Sequence, residues 1–140
     1  MRCRRRPGAG VILLLDTHTL LWWFADDPAL PANVAAAIDD PANTILVSAA
    51  SAWEICTKTR IGKLSTGQAL CEDFSGYLER YYFTPLAISV EHGRLAGRLP
   101  GAHKDPFDRM LAAQAIIEGI PLATNDAALE GLGAQVIWAA

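Results

Sequence analysis

The chain alternates short apolar runs with helix-length segments, and that alternation restricts its fold more than any other feature. The run VILLL at 11–15 is uninterrupted, as expected of a strand covered on both faces in a parallel sheet. TILVS at 44–48, PLAIS at 85–89, IPLAT at 120–124 and AQVIW at 134–138 repeat the theme. Helical patterns fill 19–25, 30–40, 48–64, 66–83, 90–99 and 105–119, with a shorter one at 126–132. Strands separated by helices in this way predict an α/β sandwich with a mainly parallel sheet.

The late helix is the best delimited. Asp105 is placed as its N-cap, Pro106 at its first helical position and Gly119 as its stop, with an apolar face through Met110, Leu111, Ala115 and Ile116. Pro31 sits near the start of the 30–40 helix, which closes before Pro41, and Gly76 weakens the 66–83 helix. Trp22 and Trp23 are neighbours and point about 100° apart on a helix, so both cannot face one core. One is expected in the core and the other on a patch that a partner covers, with base stacking as the alternative.

Composition bounds the rest. With 140 residues, 51% apolar and 19% charged, the chain can bury a core and is not of the disordered class. No apolar run approaches the roughly 18 residues that cross a bilayer, so no membrane association is expected. Residues 1–10, MRCRRRPGAG, read as a flexible basic arm, and 11–140 as a single domain. The arm carries four of the twelve basic residues and no acid, which leaves eight bases against fifteen acids, a balance of −7, beyond it. That excludes a broad basic nucleic-acid-binding face; any action on nucleic acid must pass through a small acidic site bridged by cations. Cys3, Cys56 and Cys71 are odd in number and lack CxxC spacing, and His18, His92 and His103 are scattered. Reduced thiols and a cytoplasmic location are expected, with neither a disulfide framework nor a zinc site.

The acids, by contrast, fall at one kind of place. Asp16 ends the first apolar run, and a carboxylate there is costly to desolvate unless paired, hydrogen-bonded or holding a metal. Asp126 follows the 120–124 strand, Asp105 and Asp108 open the helix leading into it, and Glu54 lies in the second turn of the helix after 44–48. Carboxyl ends of strands in parallel α/β sheets are where sites form. Clustered carboxylates without matched bases suit Mg²⁺ or Mn²⁺, which take oxygen ligands and keep several waters. Each acid also has a structural explanation. Asp105 and Asp108 fit an N-cap and a first-turn acid, Ser51 and Glu54 fit a capping box, and Asp126 can cap 127–132. Lys58, Arg60 and Lys63 form the one tight basic group of the domain, either a solvated helix end or a small phosphate-steering patch.

LLLDTHTLLWW, SAASAWEI, DPFDRMLAAQA and LATNDAAL, in that order, closely resemble the PIN-domain ribonucleases, and within them the VapC toxins of toxin–antitoxin pairs. The resemblance spans Val11 to the end of the chain. It implies an α/β/α sandwich, Mg²⁺- or Mn²⁺-dependent endoribonuclease activity on RNA with a metal-activated water, inhibition by a cognate antitoxin, and homodimers. By position it assigns catalytic and metal-binding roles to Asp16, Glu54, Asp108 and Asp126. Asp105 is an additional acid of the DPFDR motif; of the two, Asp108 is favoured as the ligand. Thr17, Ser48 and Thr124 are assigned to holding ligands or waters, and Lys58, Arg60 and Lys63 stand as candidate RNA contacts. Two other readings compete for these residues. A haloacid-dehalogenase-like phosphatase needs an Asp two positions after the first acid, where this chain has His18. A non-catalytic PIN-like module binding RNA or protein would leave the four acids as caps.

Overall fold

The computed structural model describes residues 10–138; residues 1–9, nearly all of the expected arm, lie outside them. The elements in chain order are β1 (Ile12–Leu15), α1 (Thr17–Ala25), α2 (Ala32–Asp39), β2 (Thr44–Ser48), α3 (Ala49–Arg60), α4 (Gln68–Glu72), α5 (Phe74–Arg80), β3 (Thr84–Leu86), α6 (Val90–Arg98), α7 (Pro106–Glu118), β4 (Leu122–Ala123), α8 (Ala127–Gly131) and β5 (Val136–Ile137). The five strands form one sheet in the order β3-β2-β1-β4-β5, every pairing parallel.

Both faces of this sheet are covered, which is why its strands are apolar at successive positions. Leu13, Leu15, Ile45 and Val47 point into one core with Leu20, Trp23, Val34, Ile38, Leu70 and Leu78 from α1, α2, α4 and α5. Leu14 and Leu122 point the other way, into a core with Ala96 of α6, Leu111 and Ala112 of α7, and Leu129 of α8. The result is a three-layer α/β/α sandwich. α3 straddles the layers, placing Ile55 in the first core and Ala50 in the second. Among the described residues no helix is long and apolar enough to cross a membrane.

The strand order matters for function. From central β1 the chain builds outward through β2 and β3, then returns to add β4 and β5 on the other side. Loops leaving β1 and β4 therefore part in opposite directions, and the crevice between them is the usual ligand position in such sheets. Register sharpens this: Leu15 pairs with Ala123, so Asp16 and Thr124 are the next residues on adjacent strands.

Local signals explain most boundaries. Asp105 caps α7 through the N–H groups of Phe107 and Asp108, Pro106 opens it, and Gly119 ends it at φ 67°, the left-handed conformation that glycine tolerates. Other expectations need correction. The 66–83 segment is two helices, broken at Asp73 rather than weakened at Gly76; the Asp73 carboxylate caps α5 by accepting from the Gly76 N–H at 3.1 Å. The helix after β2 is capped by Ser48, three residues before the expected Ser51, so no Ser51–Glu54 capping box forms. Ile116, expected in the α7 core face, is exposed, and Gln114 is buried in its place. Trp23 is in the core as one of the pair had to be, but Trp22 is half-buried, edge-on to Trp138 and stacked on His18. Cys56 and Cys71, read as separate thiols, pair as a disulfide joining α3 to α4 with Cα atoms 5.6 Å apart; a separation of 15 residues gives no sequence hint of that meeting.

Gln114 ties the second core to the rim. Its Oε1 accepts from the Ser48 hydroxyl, and its amide donates to the Ala87 carbonyl at 3.3 Å. Gln114→Leu should cost about 1–3 kcal/mol, because the fully buried Ser48 hydroxyl loses its acceptor; a fall in urea midpoint at unchanged m-value would register it.

Candidate functional site

Asp16 stands where β1 must turn into α1, and its two oxygens are used separately. Oδ1 caps α1, accepting from the Thr19 N–H at 2.7 Å. Oδ2 accepts from the Thr124 hydroxyl. That hydroxyl accepts in turn from the Asp126 N–H at 3.0 Å. One threonine after β4 thus ties the acid that follows β1 to the acid that follows its own strand. The Thr19 hydroxyl adds a bond to the Ala123 carbonyl at 2.8 Å, which pins the first turn of α1 against β4.

Glu54, on α3, lines a cavity with Thr17 and His18 at the start of α1. It is 4% exposed; Oε2 accepts from the Lys58 ammonium, one turn along the helix, while Oε1 has no hydrogen-bond partner among the described residues. A buried carboxylate oxygen without a partner is costly and rare. Lys58 holds its proton above the usual lysine range, chiefly through the bond to Glu54; burial opposes this, and the charges of Glu54, Asp105 and Asp108 reinforce it.

Asp108 lies in the first turn of α7, with Oδ2 2.9 Å from His103 Nε2. Burial pushes its carboxyl above the ordinary aspartate range; the hydrogen bond from His103 opposes that shift, and the charges of Asp105 and Glu54 add to it. Asp105 plays a different part, since its Oδ1 accepts from the N–H groups of Phe107 at 2.9 Å and Asp108 at 3.1 Å. Asp126 caps α8 through the Ala128 N–H at 2.9 Å. One ligand atom from each of His103, Asp108 and Asp126 lies within 4.8 Å of the others.

The remaining sequence-derived residues divide. Thr124 touches Asp16 directly. The Thr17 hydroxyl donates to Ser51 Oγ at 3.1 Å, and Ser48 is committed to Gln114 and to the cap of α3, so neither hydroxyl bonds a carboxylate. Lys58 and Lys63 line a cavity of about 400 Å³ with Thr17, His18 and Glu54, whereas Arg60 is exposed and does not line it. Two residues at the site escaped sequence reasoning. His103 is one of three scattered histidines, and the sequence reading assigns Arg109 no role. The Arg109 guanidinium in fact donates to the carbonyls of Ala96 at 2.9 Å, His103 at 3.0 Å and Leu99. It clamps the end of α6 and the following loop so that His103 sits over Asp108. The sequence signals are slight: Arg109 closes the DPFDR motif and His103 lies two residues before it.

Among the described residues, the acids and histidine close enough to share one ion are Asp108, Asp126 and His103; Asp16 and Glu54 are not in that group, although oxygen donors of this kind suit a hard divalent cation.

Several solved structures share the fold. VapBC2 from Rickettsia felis, solved bound to a DNA fragment from their promoter, is 18% identical, covering 91% of this chain and 98% of that one at a TM-score of 0.66. VapBC-1 from nontypeable Haemophilus influenzae is 16% identical, covering 93% and 100% at 0.67. A toxin–antitoxin complex from Klebsiella pneumoniae is 17% identical, covering 82% and 87% at 0.54. No curated protein matches the sequence. The family model described as PIN domain matches residues 13–134, from the middle of β1 to the approach to β5, and this chain belongs to the PIN domain family.

Proposed function

We propose that this PIN domain is an endoribonuclease dependent on Mg²⁺ or Mn²⁺ and the toxin of a toxin–antitoxin pair, acting on RNA in the cytoplasm. The observation that carries the reading is Glu54: a buried carboxylate with one oxygen unpartnered, beside an Asp108 whose ionised form is already disfavoured. A protein that only bound RNA or another protein would gain nothing from that arrangement, which costs stability without a cation. Asp16, Glu54, Asp108 and Asp126 would hold the ion. Bound there, a divalent cation lowers the pKa of a coordinated water and offsets the charge building on a phosphate.

The chain's own residues set the geometry. The Thr19 N–H and the Thr124 hydroxyl fix the Asp16 carboxylate, and α7 fixes Asp108. A carboxylate of the cluster accepts the proton of the attacking water. In-line displacement breaks the P–O3′ bond and leaves a 5′-phosphate and a 3′-hydroxyl. Lys58 and Lys63, in the cavity beside Glu54, are placed to meet the RNA backbone, the steering that a domain with excess acid needs. The antitoxin rests on likeness to solved toxin–antitoxin complexes, and the homodimer on the half-buried Trp22 and Phe24 of α1.

The test uses the purified chain and a single-stranded RNA pool. Cleavage is expected with Mg²⁺ or Mn²⁺ and not in EDTA, giving ends that accept an adapter requiring a 5′-phosphate. Undiminished cleavage in EDTA, or no cleavage with any divalent ion, would overturn the proposal.

A further inference from the structure

We infer that His103 is a metal ligand, which makes this a mixed nitrogen–oxygen site that favours Mn²⁺ and similar transition ions over Mg²⁺. The inference rests on the nuclease reading above for its oxygen ligands and adds a residue that reading does not use. His103 Nε2, a carboxylate oxygen of Asp108 and one of Asp126 lie within 4.8 Å of one another, close enough to share one ion after small side-chain adjustments. The histidine comes from the loop between α6 and α7, not from a strand end, so its presence there needs an explanation.

That explanation is built into the loop. Arg109 gathers the carbonyls of Ala96, Leu99 and His103, which fixes the backbone at His103 from the helix that carries Asp108. The imidazole is partly shielded, 26% exposed, and its Nε2 is directed at the Asp108 carboxylate at 2.9 Å. The imidazole is aimed at Asp108, whose carboxyl also feels the charge of Glu54, a residue with one buried oxygen left without a hydrogen-bond partner among the described residues. Ligation uses the neutral ring with its proton on Nδ1 and the Nε2 lone pair towards the ion. Imidazole nitrogen suits transition ions, whereas Mg²⁺ keeps to oxygen and water in near-ideal octahedra.

Electron spin-echo envelope modulation of the Mn²⁺-loaded full chain reads the nitrogen directly, and no RNA is needed. The wild type should show coupling to a directly bound ¹⁴N, and His103→Gln should lose it. The substitution should also weaken Mn²⁺ binding at least about tenfold while changing Mg²⁺ binding little, with circular dichroism confirming that the variant folds. Mn²⁺ bound without nitrogen coupling, or coupling that persists in His103→Gln, would overturn the assignment and leave the nuclease proposal standing. Failure of the wild type to bind any divalent ion would overturn both.

Discussion

Asp16→Asn should lower RNA cleavage on the order of a hundredfold or more without unfolding the protein. Asparagine is as good an N-cap as aspartate, so the bond from the Thr19 N–H that starts α1 survives. The amide can still meet the Thr124 hydroxyl, so the link across β1 and β4 is kept. What disappears is one negative charge, the property on which cation binding depends. Asp16→Ala is the poorer experiment, because it also removes the cap at a cost of about 1 kcal/mol. The comparison is of kcat for an RNA substrate in Mn²⁺, with thermal melting in EDTA to show that stability has not moved. Full activity in the Asn variant would mean that Asp16 is only a cap, and the metal-site reading would fail with it.

The largest effect on stability is expected at Trp23. Its side chain is 1% exposed and lies at the centre of an aromatic cluster, 4.8 Å from the ring of Phe83, 5.2 Å from Tyr81 and 5.3 Å from Phe24. Its indole N–H donates to Asp39 Oδ1 at 2.9 Å, which joins α1 to α2. Trp23→Ala should destabilise by about 3–5 kcal/mol, a large share of the stability of a domain this size. Trp23→Phe keeps most of the volume and loses the hydrogen bond, so about 1 kcal/mol beyond the loss of ring area is expected. Urea titration of both variants separates packing from hydrogen bonding. A cost below 1 kcal/mol for the alanine variant would show that the cluster is not the core of that face.

These expectations depend on features that differ in how far the sequence revealed them. α7 was legible almost to the residue, because Asp105, Pro106 and Gly119 are local signals whose physics lies within a few residues of each boundary. The parallel sheet was legible for a similar reason, since strands buried on both faces must be apolar throughout. The acids were legible as strand-end residues, and the meeting of Asp16 with the β4 side follows from the strand order. Long-range pairings were not. Ser51 and Glu54 have capping-box spacing, yet Ser48 takes the cap because β2 ends there and Ser51 is drawn to Thr17 across 34 positions. The break at Asp73 was obscured because a helix-favouring run on both sides hid a carboxylate that bonds back to Gly76. His103 lacked any ligand spacing; only the reach of Arg109 to three carbonyls brings it to Asp108.

Because β1 is the central strand and β4 pairs with it, the hydrogen-bonded link between Asp16 and the β4 rim forms only when residues 108 positions apart come together. During synthesis, a nascent polypeptide that has emerged through β3 already holds Asp16 and Glu54 but lacks Asp108, Thr124 and Asp126. On the proposed function, such a chain lacks part of the ion-binding set, and products released early would leave the surrounding RNA uncut.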